Sequence, residues 1–144
     1  MARSEDYPDL LRELSGKKVA IWTCNTCARL CNGIGGTESS ERLAERLRDD
    51  GIEVTGVHST SASCLDRKVL DKKDEVISGG PDVILSMTCS IGASRASEAF
   101  GIRVVNPMVT FGYGYLTEEG VPVLLRDGKE MSVNDLSERS NPFI

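Results

Sequence analysis

Lys17-Lys18-Val19-Ala20-Ile21-Trp22-Thr23 runs straight into Cys24-Asn25-Thr26-Cys27-Ala28-Arg29-Leu30-Cys31. The first part is almost continuously apolar behind its two lysines, with no polar alternation. A strand written this way is covered on both faces, as in a parallel sheet. The second part carries three of the chain's five cysteines within eight residues. A buried strand therefore delivers a group of thiols to its carboxyl end.

Upstream, residues 9–15 space leucines between charges and read as a short amphipathic helix ending near Gly16. Downstream, the loop 24–36 is rich in Asn, Gly and Cys. Thr37 or Ser39 is expected to cap the next helix, with Glu38 and Glu41 in its first turn. Leu43, Ala44 and Leu47 mark its buried stripe, and Asp50-Gly51 closes it. Residues 52–58 form a second strand, and a helix over about 65–77 is stopped by Gly79-Gly80-Pro81. A third strand follows at 82–87, a small-residue helix at 90–100 ends at Gly101, and a fourth strand at 102–106 is halted by Pro107.

Strands alternating with helices across short connections imply a parallel sheet with right-handed crossovers. The expected fold is α/β: one three-layer, flavodoxin-like or Rossmann-like domain over 1–144, with parallel sheet order 2-1-3-4. After Pro107 the pattern changes. Phe111-Gly112-Tyr113-Gly114-Tyr115 is an aromatic and glycine loop, and 121–131 reads as a hairpin turning at Asp127-Gly128. The ends, 1–8 and 135–144, are expected to be loose.

Composition narrows the function. The chain has 144 residues, 40% apolar and 27% charged, which suits one soluble globular domain. A net charge of −5 argues against nucleic acid, whose binding rests on basic patches facing phosphate. Lys68, Lys72 and Lys73 are interrupted by Asp66, Asp71 and Asp74 and read as a solvated helix face. No apolar run approaches the roughly 20 residues of a membrane span, and the polar N-terminus does not resemble a signal peptide. A cytoplasmic location is expected, where thiols stay reduced. Five cysteines, three of them clustered, make a poor disulfide framework and a better metal or redox set.

In an open α/β sheet, ligands gather beyond the carboxyl ends of the strands. Cys24 ends the first strand, Cys64 follows the second and Cys89 ends the third. Order 2-1-3 makes these strands neighbours, about 4.8 Å apart, so topology brings distant cysteines together. Cubane iron–sulfur clusters take four thiolates, and a [4Fe-4S] cluster is the leading expectation. Cys27, Cys31, Cys64 and Cys89 rank as its ligands, with Cys24 as the spare, since free Cys is readily buried. Zinc is the alternative metal, although structural zinc favours two close pairs of ligands. A thioredoxin-like CxxC fits poorly, because Cys24 and Cys27 lie about ten residues ahead of the helix. Gly35 and Gly36 give the backbone room beside a cluster and N–H donors for its sulfurs; equally, they answer a loop's need for positive φ. Asn32 and Thr88 are polar side chains placed to support the ligands. Phe111, Tyr113 and Tyr115 either cover the cluster, face a partner or, the readier expectation, pack in the core. His58 stands alone, and no catalytic triad or carboxylate pair is evident.

A strand, then Cys24-x-x-Cys27-x-x-x-Cys31, then Gly35-Gly36-Thr37-Glu38 opening a helix, a lone Cys64, and Cys89-Ser90-Ile91-Gly92 resembles the iron–sulfur partner subunit of anaerobic methylenetetrahydrofolate reductases. The likeness extends to Val104-Val105-Asn106-Pro107-Met108-Val109-Thr110-Phe111-Gly112 and spans roughly residues 15 to 115. It implies a non-catalytic subunit whose cluster carries electrons toward a flavin-bearing partner subunit. That family usually continues into a second cysteine-rich segment, whereas this sequence has no cysteine after Cys89 and so resembles the N-terminal cluster module alone. A cluster-based enzyme or activator with an open iron site, and a zinc-stabilised scaffold, are the competing expectations.

Overall fold

The computed structural model describes residues 1–3 and 5–132. In chain order the elements are β1 (Ala2–Arg3), α1 (Tyr7–Leu14), β2 (Lys18–Cys24), α2 (Cys27–Leu30), α3 (Thr37–Asp49) and β3 (Glu53–Thr60). They continue with α4 (Asp66–Leu70), α5 (Lys73–Ser78), β4 (Val83–Met87), α6 (Ser90–Phe100) and β5 (Arg103–Val105). Three short pieces complete an antiparallel part, β6 (Met108–Val109), β7 (Gly114–Leu116) and β8 (Pro122–Arg126), followed by β9 (Lys129–Ser132).

The apolar run 19–24 is the centre of the main sheet. Every residue of β2 after Lys18 is buried, as expected of a strand with helices on both faces. It pairs in parallel with β3 through Ile21↔Val57 and with β4 through Ile21↔Leu85; β4 pairs in parallel with β5 through Ile84↔Val104. The order β3-β2-β4-β5 is the expected 2-1-3-4. Side-chain alternation divides the core into two layers. Val19, Ile21, Val83 and Leu85 pack against Leu10 and Leu14 of α1 and Leu43, Ala44 and Leu47 of α3. Ala20, Trp22 and Ile84 face the other way, against Val69, Val76, Ala96 and Phe100. The Trp22 and Phe100 rings meet edge to face at 5.1 Å.

The last three strands form an antiparallel sheet in the order β7-β8-β9. Its second turn is the expected one. Asp127 (φ 52°) and Gly128 (φ 73°) are both left-handed, as a two-residue type I′ hairpin requires.

Several details differ from the sequence reading. The helix expected over 65–77 breaks into α4 and α5. Its buried stripe is only Val69 and Val76, seven residues apart, too thin to hold one continuous helix on the sheet. The cap of α3 is Gly36 (φ 91°) rather than Thr37 or Ser39; Asn25 Oδ1, reaching from the cysteine loop, accepts the Thr37 N–H at 2.9 Å. Residues 1–8 contain β1, which pairs antiparallel with β6, and the start of α1. Phe111, Tyr113 and Tyr115 are exposed, so core packing does not describe them. The segment 135–144 lies outside the described residues. Among the described residues, no helix is long and apolar enough to cross a membrane.

Two contacts fasten the strand ends. Trp22 Nε1–H donates to the buried Ser63 Oγ at 2.8 Å, and Ser63 Oγ–H donates to Gly92 O at 3.0 Å. Trp22→Phe removes the donor to Ser63 Oγ and part of a fully buried ring, and is expected to cost about 1–3 kcal/mol, read as a shift of the urea midpoint by circular dichroism. Gly35 is the tighter position: a Cβ there would lie 2.6 Å from both Ala28 Cβ and Met87 O. Gly35→Ala is therefore expected to destabilise by about 1–3 kcal/mol in the same measurement, since the atom it meets on β4 is backbone and cannot swing aside.

Candidate metal centre

The site grows from the carboxyl ends of three adjacent parallel strands. Cys24 is the last residue of β2, beside Thr60 at the end of β3, and is buried. Its thiol donates to Ser61 O at 3.6 Å. Asn25 N–H donates to Thr60 O at 2.8 Å, and the Thr26 hydroxyl donates to Ser61 O. The chain leaving β2 is thus stitched to the chain leaving β3, which carries Cys64 four residues beyond Thr60. Ser63, fixed between Trp22 and Gly92, sets the position of the exposed Cys64.

Cys27 opens the one-turn helix α2 and is exposed. The notion that Cys27 and Cys31 stand one helical turn apart holds for the backbone, where Cys31 N–H donates to Cys27 O at 3.0 Å. Their thiols part company. Cys31 is buried, and its sulfur lies 3.3 Å from both the amino nitrogen and the carbonyl oxygen of Met1. Cys89 caps α6: its sulfur accepts the Gly92 N–H at 3.4 Å.

Electrostatics shows which thiols are neighbours. Partial burial pushes the Cys27 thiol above its ordinary value, and the negative charges of Cys24, Cys89 and Cys64 push it further in the same direction. Cys31 is not among these influences. Cys24, Cys64 and Cys89 thus lie near enough to act on Cys27, while the Cys31 sulfur contacts Met1 and Cys31 lines a cavity together with Cys27 and Cys89. The ranking from sequence set Cys24 aside as a buried strand-end thiol; Cys24 is buried, and so is Cys31.

Among the described residues, no three Cys, His, Asp or Glu side chains already form a metal-holding group. The fit to a metal is one of donor type and location. Soft thiols are carried at the end of β2, in the loop behind it, and past the ends of β3 and β4, a donor set of the type that iron–sulfur clusters or tetrahedral zinc take. His58 plays no part there. Its Nδ1 lies 3.0 Å from Glu75 Oε1, and Glu75 is held below the usual carboxylate range by Lys72 first and His58 second.

The supporting residues expected from sequence have structural duties. The N–H groups of Gly35 and Gly36 donate to Ala28 O at 3.1 Å and Thr23 Oγ1 at 2.7 Å. Asn32 takes a left-handed turn (φ 52°) on leaving α2. Thr88 is buried, with its hydroxyl 2.8 Å from Ser86 Oγ and 3.1 Å from Cys89 O, which steadies the backbone of a ligand candidate. Sequence reading missed Thr23, Asn25, Ser63 and Gly92. Gly92 and Ser63 are in close contact, as a Cβ on Gly92 would lie 2.9 Å from Ser63 Oγ and Thr88 Oγ1. Adjacency to Cys24, Cys64 and Cys89 was the one available signal.

No protein-family model, no curated protein sequence and no solved structure matches the chain.

In the metal-free protein, Cys27 is expected to need a higher pH than the same thiol in urea-unfolded chain before it becomes a thiolate. Iodoacetamide labelling across pH, read by peptide mass spectrometry, checks this. The midpoint for Cys27 should lie above the unfolded one and move back toward it in Cys24→Ser, Cys64→Ser and Cys89→Ser. A folded-state midpoint at or below the unfolded value would contradict the arrangement.

Proposed function

We propose that this chain is an iron–sulfur protein in which Cys24, Cys27, Cys64 and Cys89 hold a [4Fe-4S] cluster, and that it works as a non-catalytic electron-transfer subunit. The observation that carries the reading is the influence of Cys24, Cys64 and Cys89 on the Cys27 thiol at the carboxyl edge of the parallel sheet. Four thiolates are the usual complement of a cubane. No histidine or carboxylate competes in the set, and no paired acid and base stands beside it. Bound there, the cluster would supply one-electron chemistry. The chain's own part is to place the donors from three strand ends, to aim the Gly92 N–H at the Cys89 sulfur, and to shield the centre with the buried Thr23, Ser63 and Thr88. Hydrogen bonds to sulfur and exclusion of solvent both move a cluster's potential.

The partner proposed is a flavin-bearing reductase subunit, in line with the resemblance of Cys24 to Gly112 to the cluster subunit of anaerobic methylenetetrahydrofolate reductases. A cytoplasmic, reducing setting goes with five unpaired cysteines. Zinc is the second reading, favoured by the same tetrathiol set, in which case the protein is a scaffold.

Anaerobic reconstitution with ferrous iron and sulfide should give a brown protein holding about four irons and four sulfides per chain. Ser replacement at Cys24, Cys27, Cys64 or Cys89 should abolish that colour, and Cys31→Ser should keep it. Loss on Cys31→Ser with retention on Cys24→Ser would restore the other assignment. A colourless protein that takes up one zinc and rejects iron would sink the cluster altogether.

A further inference from the structure

Beside the thiol edge lies a half-open cavity of about 340 Å³. Its floor includes Cys27 and Cys89, and its far wall is the antiparallel sheet, through Leu116, Val123 and Leu124. The volume falls in the range of small-molecule sites. Its place is the crevice outside the carboxyl ends of a parallel sheet, where such folds bind ligands.

The wall chemistry limits the occupant. None of the lining residues is Asp, Glu, Lys, Arg or His. The polar atoms that might have faced inward are largely engaged elsewhere. Tyr115 Oη–H donates to Glu130 Oε1 at 2.7 Å, and Thr110 Oγ1 accepts the Ser90 N–H at 2.9 Å. The Cys31 sulfur is held at Met1. The one charge that a lining residue carries is the Met1 ammonium, whose nitrogen lies 3.3 Å from Cys31 Sγ. A cationic ligand would lose its hydration here without a counter-charge, which costs several kcal/mol, whereas an apolar surface would gain by burial.

We propose that this cavity binds a mainly apolar, non-cationic small molecule, on the order of ten to twenty non-hydrogen atoms, against the Cys27 and Cys89 side of the thiol edge. The cavity shares Cys27 and Cys89 with the candidate metal centre, and the inference does not depend on which metal those thiols hold. The antiparallel sheet then has a role of its own: it turns an open sheet edge into a walled site.

The test uses the full chain, metal-free and reduced, titrated with N-phenyl-1-naphthylamine, an uncharged dye that fluoresces in apolar surroundings. Saturable one-to-one binding is expected. Saturating dye should slow iodoacetamide labelling of Cys27 and Cys89 at least threefold and leave Cys64 unchanged. Leu116→Arg puts a charge into the wall from a residue that is already 36% exposed. It should keep the circular dichroism spectrum and weaken dye binding at least tenfold. Absence of saturable binding overturns the proposal, whatever segment or second copy fills the space. Binding that leaves both thiols unprotected, or that a folded Leu116→Arg variant retains, also overturns it. Failure of iron reconstitution would bear only on the cluster, because no metal enters these measurements.

Discussion

Parallel pairing of β2 between β3 and β4 is the constraint on which the rest depends. Parallel strands end on the same side, so whatever follows each carboxyl end is delivered to a common edge. Cys24, Cys64 and Cys89 owe their proximity to that rule. The pairing is fixed by burial. Every residue of β2 beyond Lys18 is enclosed, and a slip by one residue would exchange its two faces, sending Trp22 toward α1 and α3 and Ile21 toward α6. Register and site are consequently specified by the same side chains.

The architecture was legible because apolar runs and glycine stops repeat clearly. The strand runs at 17–23, 52–58, 82–87 and 102–106 all appear within a residue or two, and the four-strand order follows from short connections alone. The placement of Cys24, Cys64 and Cys89 at or beyond the carboxyl ends of neighbouring strands was legible for the same reason. The contact of Cys31 with Met1, thirty residues away, was not. Nor did the sequence announce that Asn25 would cap α3 or that Ser63 would join Trp22 to Gly92. Such contacts run between loops, where no periodicity predicts partners. The aromatic stretch after Pro107 misled in the opposite direction: large rings suggested core, yet a three-stranded sheet with little behind it leaves Tyr113 82% exposed.

The loop 24–36 carries two burdens that pull on each other. It must stay close to the sheet, which the Gly36 N–H bond to the Thr23 hydroxyl and the close approach of Gly35 to the β4 backbone ensure. It must also present Cys27 outward, toward thiols whose charges oppose its own ionisation. Rigidity in the first respect supplies leverage for the second. With the backbone held, the loop cannot drift away to relieve the effect of the neighbouring thiols on Cys27.

Trp22 gives this arrangement an optical consequence. It is the chain's single tryptophan, fully buried, and its indole N–H is bonded to the residue that precedes Cys64. Any event that draws Cys64 toward or away from its fellow thiols pulls on Ser63 and alters the polarity around the one indole in the molecule. The protein thus contains its own fluorophore, wired to the thiol edge through a single hydroxyl, so that emission from the interior reports events at the surface without any label.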